Sequence, residues 1–159
     1  MLSGELQIKE AVPYLFKIFN SSDFMTYIYS DCLNALGTIG TEEVVKEIEN
    51  LYQPDNEDRG ALAGIPGKIP FEYSENLAIK LLQIEKGKSE KASIACSLCD
   101  LFSKKAIPYL EKLMGIHTYD TNYLELLEAL VSLYEYYNLK YPDRLLMEDK
   151  KYALKSIKL

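Results

Sequence analysis

Two arginines, Arg59 and Arg144, and one histidine, His117, are all that 159 residues contain of these side chains. With 18 Lys and Arg against 24 Asp and Glu, and a formal charge of −6, the chain lacks the clustered cations that phosphate neutralisation needs. Nucleic acid is therefore not an expected partner. The scarcity of histidine weighs against acid–base catalysis, because a general base needs a partner and a pocket. His117 falls in a loop after Gly115, beside Thr118, Tyr119 and Asp120, and reads as a solvated side chain. Long apolar runs are missing too. The longest uncharged stretch, Cys32 to Thr41, is half the roughly 20 residues of a membrane-crossing helix. Glu5 and Lys9 interrupt the N-terminus where a secretion leader would be apolar. A cytoplasmic protein without a membrane partner is expected.

Three cysteines without a leader read as reduced thiols. Cys96 and Cys99 have C-x-x-C spacing, but they fall on the inner side of an amphipathic helix with no second Cys or His pair to complete four ligands. They are expected to be buried structural thiols, as is Cys32. No nucleophile elbow, zinc-binding HExxH or phosphate loop occurs, and Gly64 to Lys68 lacks both the spacing and the Ser or Thr of a phosphate cradle. Asp55, Glu57 and Asp58 lack the alternating ligands and closing Glu of a calcium loop. No catalytic residue, metal or cofactor is expected.

What the chain does have is internal recurrence. Ala11, Val12, Pro13, Tyr14, Leu15 returns 95 residues later as Ala106, Ile107, Pro108, Tyr109, Leu110. A shift of 33 lays Glu43 to Lys46 over Glu10 to Pro13, and a shift of 62 lays Val44 to Lys46 over Ala106 to Pro108. Because 62 is nearly twice 33, one more unit is expected between them. Apolar stripes at helical spacing predict paired helices. The first pair is Ile8 to Phe19 and about 22 to 37, with Phe24, Met25, Ile28, Cys32, Leu33, Ala35 and Leu36 inward. Thr41 then caps a helix carrying Val44, Val45, Ile48, Leu51 and Tyr52. Further pairs are Tyr73 to Lys86, capped by Ser74 and closed by Gly87, with Ser89 to Phe102, and Lys105 to Met114 with Thr121 to Asn138, stopped by Pro142. Residues 54–70 break the pattern: three prolines leave room for about two helical turns, Glu57 to Gly64. The fold class is all-α.

The second helices carry polar outer lines: Asp23, Tyr27, Ser30 and Asn34; Ser93, Ser97 and Asp100; Glu125, Glu128, Ser132 and Glu135. Thirteen tyrosines are many for this length. Tyr14, Tyr52, Tyr109, Tyr134 and Tyr137 fit core positions, whereas Tyr27, Tyr119, Tyr123 and Tyr136 are expected to reach solvent, where tyrosine suits a protein interface.

The proline-bearing stretches, together with Ala35 to Glu43 and Ala106 to Leu113, resemble HEAT-type repeats. The resemblance implies a right-handed α-solenoid of about four helical hairpins over residues 1–142, followed by a short helix and basic tail at 143–159. Gly4 and Leu6 match the end of a second helix, so the chain is expected to begin in mid-unit, as in a fragment of a longer solenoid. In HEAT-like solenoids the second helices line the concave face, where the three outer lines would meet and the irregular loop with Asp58 and Arg59 would open. The expected function is a non-enzymatic scaffold that binds a protein with a basic surface. Small acidic bacterial proteins of this kind also include toxin-neutralising immunity proteins, and HEAT-like folds include DNA glycosylases and bilin lyases.

Overall fold

The fold is given by a computed structural model, which describes residues 8–23, 26–53, 55–114, 121–140 and 142. In chain order the α-helices are α1 (Val12–Ser21), α2 (Tyr27–Ile39), α3 (Glu42–Leu51), α4 (Arg59–Ala63), α5 (Glu72–Ile84), α6 (Lys88–Asp100), α7 (Ile107–Met114) and α8 (Thr121–Tyr136), with 3-10 turns at Lys9–Ala11, Pro66–Lys68 and Lys104–Ala106. No strand occurs among the described residues, and none of their helices is long and apolar enough to cross a membrane. Expectations for Gly4, Leu6, Phe24, Met25, His117, Tyr119, the side chain of Tyr123 and the 143–159 tail lie outside the described residues.

The recurring pentapeptide produces recurring local structure. Ala11 and Ala106 each close a 3-10 turn, donating to Ile8 O at 3.0 Å and to Ser103 O at 3.2 Å. Pro13 and Pro108 follow as the second residue of α1 and α7, where a missing N–H costs nothing. Val12 and Leu15 in one copy, and Ile107 and Leu110 in the other, are buried.

The helices form a continuous chain of contacts. α1 packs on α2, α5 on α6, and α7 on α8. Along a row of second elements, α2 touches the Pro66–Lys68 turn, that turn and α4 touch α6, and α6 touches α8; opposite them α3 touches α5. The single core these contacts enclose is centred on Leu36, Ile48, Leu62, Leu98, Leu110 and Leu130, all fully buried.

Three second-row helix ends share one device. Gly40, Phe102 and Asn138 take left-handed φ values of 62°, 51° and 49°. At Phe102 and Asn138 the end is a Schellman motif: Ser103 N donates to Leu98 O and Leu139 N to Tyr134 O, both at 2.9 Å. Asn138, rather than Pro142, thus ends α8, while Phe102 holds a conformation that costs a β-carbon about 1 kcal/mol.

Other local expectations are corrected. α2 begins at Tyr27 rather than near residue 22, capped by Thr26, whose Oγ1 accepts from Tyr29 N at 3.3 Å. Tyr29 takes the inward position against Phe19, 4.8 Å between ring centroids, and this leaves Ile28 exposed. Tyr14 points outward because Val12, Leu15, Phe16 and Phe19 occupy the buried stripe of α1. Ile84 and Phe102, at the edge of α5 and beyond the end of α6, are also exposed. Ser74 lies inside α5, fully buried, and Phe71 occupies the cap position; Gly87 starts α6 rather than closing α5.

Several tyrosines clamp helices together. Tyr73 donates to Glu49, which also receives Lys80 Nζ at 2.6 Å, tying α3 to α5. Tyr134 donates to Glu111, tying α8 to α7, and burial together with this carboxylate pushes its phenol up to about 12.

Candidate functional site

The irregular segment 54–70 is the place to begin, because it occupies the row position where a regular helix was missing from the sequence pattern. Its helical part shrinks to α4, five residues, and the Pro66–Lys68 turn wedges between α2 and α6. Close approach requires glycine: a β-carbon on Gly67 would stand 2.6 Å from Ser97 Cα. Ser97 in turn donates its hydroxyl to Ala63 O at 2.8 Å. The placement of Ser97 on an exposed outer line is therefore wrong. It is 1% exposed, because α4 and its following turn cover that part of α6. Ser97→Ala removes a buried donor and leaves Ala63 O unpaired, and a loss of about 1 to 2 kcal/mol in urea-unfolding free energy is expected.

Asp58 and Arg59 are also engaged within the molecule. Asp58 lies against the hydroxyl of buried Tyr29, and burial with this charge drives the Tyr29 phenol upward. Arg59 reaches Glu90 at 3.0 Å and Glu85 at 3.6 Å. Glu85 is buried and also accepts from Tyr52 and from the backbone N–H groups of Lys86, at 2.6 Å, and Gly87, at 2.7 Å. Burial alone would raise this carboxyl, but the hydrogen bonds and Arg59 outweigh it and hold it below the usual range. The cluster fastens the irregular segment to the α5–α6 connection.

The remaining second-row residues divide into two neighbouring clefts. In the first, of about 330 Å³, Ser30 and Asn34 on α2 face Gly64 and Lys68. Lys68 Nζ donates to Asn34 Oδ1 at 3.0 Å, its stem crossing Gly37, where a β-carbon would lie 2.8 Å from Lys68 Cδ. Asp23 and Tyr27 stand exposed at the start of this line. The second cleft, of about 180 Å³, lies between α6 and α8 and is lined by Cys96, Cys99 and Asp100 opposite Glu125, Glu128, Ala129 and Ser132. Ser93 is half-buried one turn before Cys96, and Glu135 is exposed near the far end of α8.

No family model, curated protein or solved structure matches the chain.

The electrostatics of the second cleft are one-sided. Among the described residues, no lysine or arginine forms an ion pair with Asp100, Glu125 or Glu128, whereas Glu42, Glu49, Glu75, Glu85 and Glu90 each hold a cation. Burial raises the Asp100 carboxyl, opposed by the positive charge of Lys68. Burial and the charges of Glu125, Asp100 and Glu128 push the Cys96 thiol up, and burial with Asp100 does the same to Cys99. Protonated thiols are weak nucleophiles and poor ligands. Among the described residues no three His, Cys, Asp or Glu side chains are placed to hold one metal ion. The arrangement can attract a cation and offers little for covalent chemistry.

Lys68 and Glu85 are the residues that sequence reasoning missed. Lys68 stood out only as part of a failed phosphate loop, and Glu85, two residues before Gly87, did not stand out at all. A carboxylate directly after an apolar helical run and before a Lys-Gly turn is the one local signal that Glu85 carried.

Proposed function

We propose that this chain is a non-enzymatic protein-binding scaffold: a HEAT-like, right-handed α-solenoid whose acidic second-helix face holds a partner with a basic surface. One observation carries the reading. Asp100, Glu125 and Glu128 converge on one cleft with no lysine or arginine of the described residues within ion-pairing distance, whereas Glu49, Glu75, Glu85 and Glu90 each hold a cation from another element. Such a cleft lowers the energy of an incoming lysine or arginine and speeds its encounter. The recurrence of proline-led helices and left-handed helix ends supports the solenoid arrangement. The loop residues Asp58 and Arg59 act in this reading as struts, and Asp23, Tyr27, Ser30 and Asn34 as the polar flank of the face.

The test is reversal of charge. In Glu125→Lys/Glu128→Lys both replaced side chains are exposed, so the melting temperature should stay within a few degrees of the parent. Binding of a lysine decapeptide, followed by fluorescence anisotropy at low salt, should weaken more than tenfold. Unchanged binding would contradict the proposal.

A further inference from the structure

Phe102 is the feature that the acidic cleft does not explain. It occupies the left-handed position that Gly40 fills at the end of α2 and Asn138 at the end of α8. These residue types tolerate that backbone, and a bulky aromatic does not. The ring is not stored in the core in return: Phe102 is 52% exposed and stacks on Tyr136, itself 61% exposed, with centroids 4.4 Å apart. Tyr137 meets Tyr136 edge-on at 5.0 Å and donates its hydroxyl to Phe102 O, so the displayed pair is braced from below. A strained backbone that presents rings to water is a pattern of binding surfaces.

The pair is continuous with the cleft. Tyr136 lies one turn beyond Ser132, which lines the cleft, and Phe102 lies two residues beyond Asp100. We infer that the α6–α8 cleft and the Phe102–Tyr136 pair form one docking track for an extended basic segment of a partner protein. A lysine or arginine sits over Asp100, Glu125 and Glu128, and an apolar side chain of the same segment sits on the rings. This rests on the proposed function and adds a second anchor with a spacing. Glu128 to Tyr136 spans about 12 Å at about 1.5 Å per residue, which an extended peptide covers in about four residues. Charge complementarity selects a basic occupant, because the three carboxylates have no cation of their own within ion-pairing distance.

The test uses the full chain and three end-blocked nonapeptides in a glycine–serine background. One carries two lysines and a phenylalanine four residues on, one has serine for the phenylalanine, and one has glutamates for the lysines. In nitrogen-15 NMR titrations the lysine–phenylalanine peptide should shift the amides of Cys99, Asp100, Phe102, Ser132 and Tyr136 and bind at least fivefold more tightly than the serine version. The glutamate peptide should not bind. Phe102→Gly, which relieves the backbone, and Tyr136→Ala should each erase the fivefold gain while leaving the lysine–serine affinity unchanged. Equal affinity of the two lysine peptides, or a gain that survives both variants, overturns the track while the acidic-face reading stands. Absence of binding by every lysine peptide overturns both.

Discussion

Glu85→Ala is expected to lower the unfolding free energy by about 3 kcal/mol, the lower end of what breaking a buried ion pair costs. The variant removes at once the acceptor for Tyr52, for the N–H groups of Lys86 and Gly87, and one of the two carboxylates that hold Arg59. Glu90, at 3.0 Å from Arg59, retains part of the compensation and keeps the loss from being larger. For a chain of this size the melting temperature should fall by about 6 to 12 °C in a calorimetric scan. The same carboxylate sets a pH dependence. Its folded pKa lies below the 4.5 of the free side chain, so its contribution is fully present above about pH 4.5 and is lost as pH falls through the folded value. Glu49 and Glu75, lowered in the same direction, add to that acid limb, although their pairs are more exposed and weaker. Glu85→Gln should therefore give a shallower decline of melting temperature below pH 4.5 than the parent, with a smaller loss at neutral pH than Glu85→Ala. An identical acid limb in parent and variant would remove Glu85 from the account.

Gly67→Ala is the second large expected effect. The added methyl would lie 2.6 Å from Ser97 Cα and 3.1 Å from Ser97 O, and both atoms are backbone of α6, which cannot rotate away. Overpacking of this kind costs about 1 to 3 kcal/mol, and a rigid helix as the obstacle argues for the upper half of that range. Gly64→Ala is the control. Its β-carbon would meet Ala61 O at 3.6 Å, an ordinary contact, and φ is −78°, so urea unfolding should show a change within about 1 kcal/mol in either direction. Equal destabilisation by both would mean that the turn is not wedged against α6. A loss confined to Gly67→Ala would establish that the irregular segment depends on that approach.

Most of the helices were legible because helix formation is written in local spacing. The stripes Val12, Leu15, Phe16, Phe19 and Leu126, Leu127, Leu130, Leu133 are buried as their periods require, and the repeated pentapeptide yields the same 3-10 turn and helix twice. Errors cluster where a distant partner decides the outcome. Helical spacing places Ser97 on the line of Ser93 and Asp100, yet a turn some 30 residues earlier covers it. Arg59 looked like a surface cation until Glu85 and Glu90 enclosed it. At Phe102 the stripe continued in sequence, but the backbone turned left-handed and carried the ring outward. The convergence of Asp100 with Glu125 and Glu128 was legible as two outer lines, since α6 packs against α8 and the two lines border one cleft. The interposed Lys68 was not, because nothing local ties it to Asn34 or Asp100.

The most direct measurement of the central claim is one anisotropy titration of the full chain with two probes of similar length, the lysine decapeptide and a ten-base-pair DNA duplex, at low and at 0.5 M salt. An acidic binding face predicts saturable, salt-sensitive binding of the peptide and none of the duplex. Salt-sensitive binding of the duplex, with no response to the peptide, would contradict it.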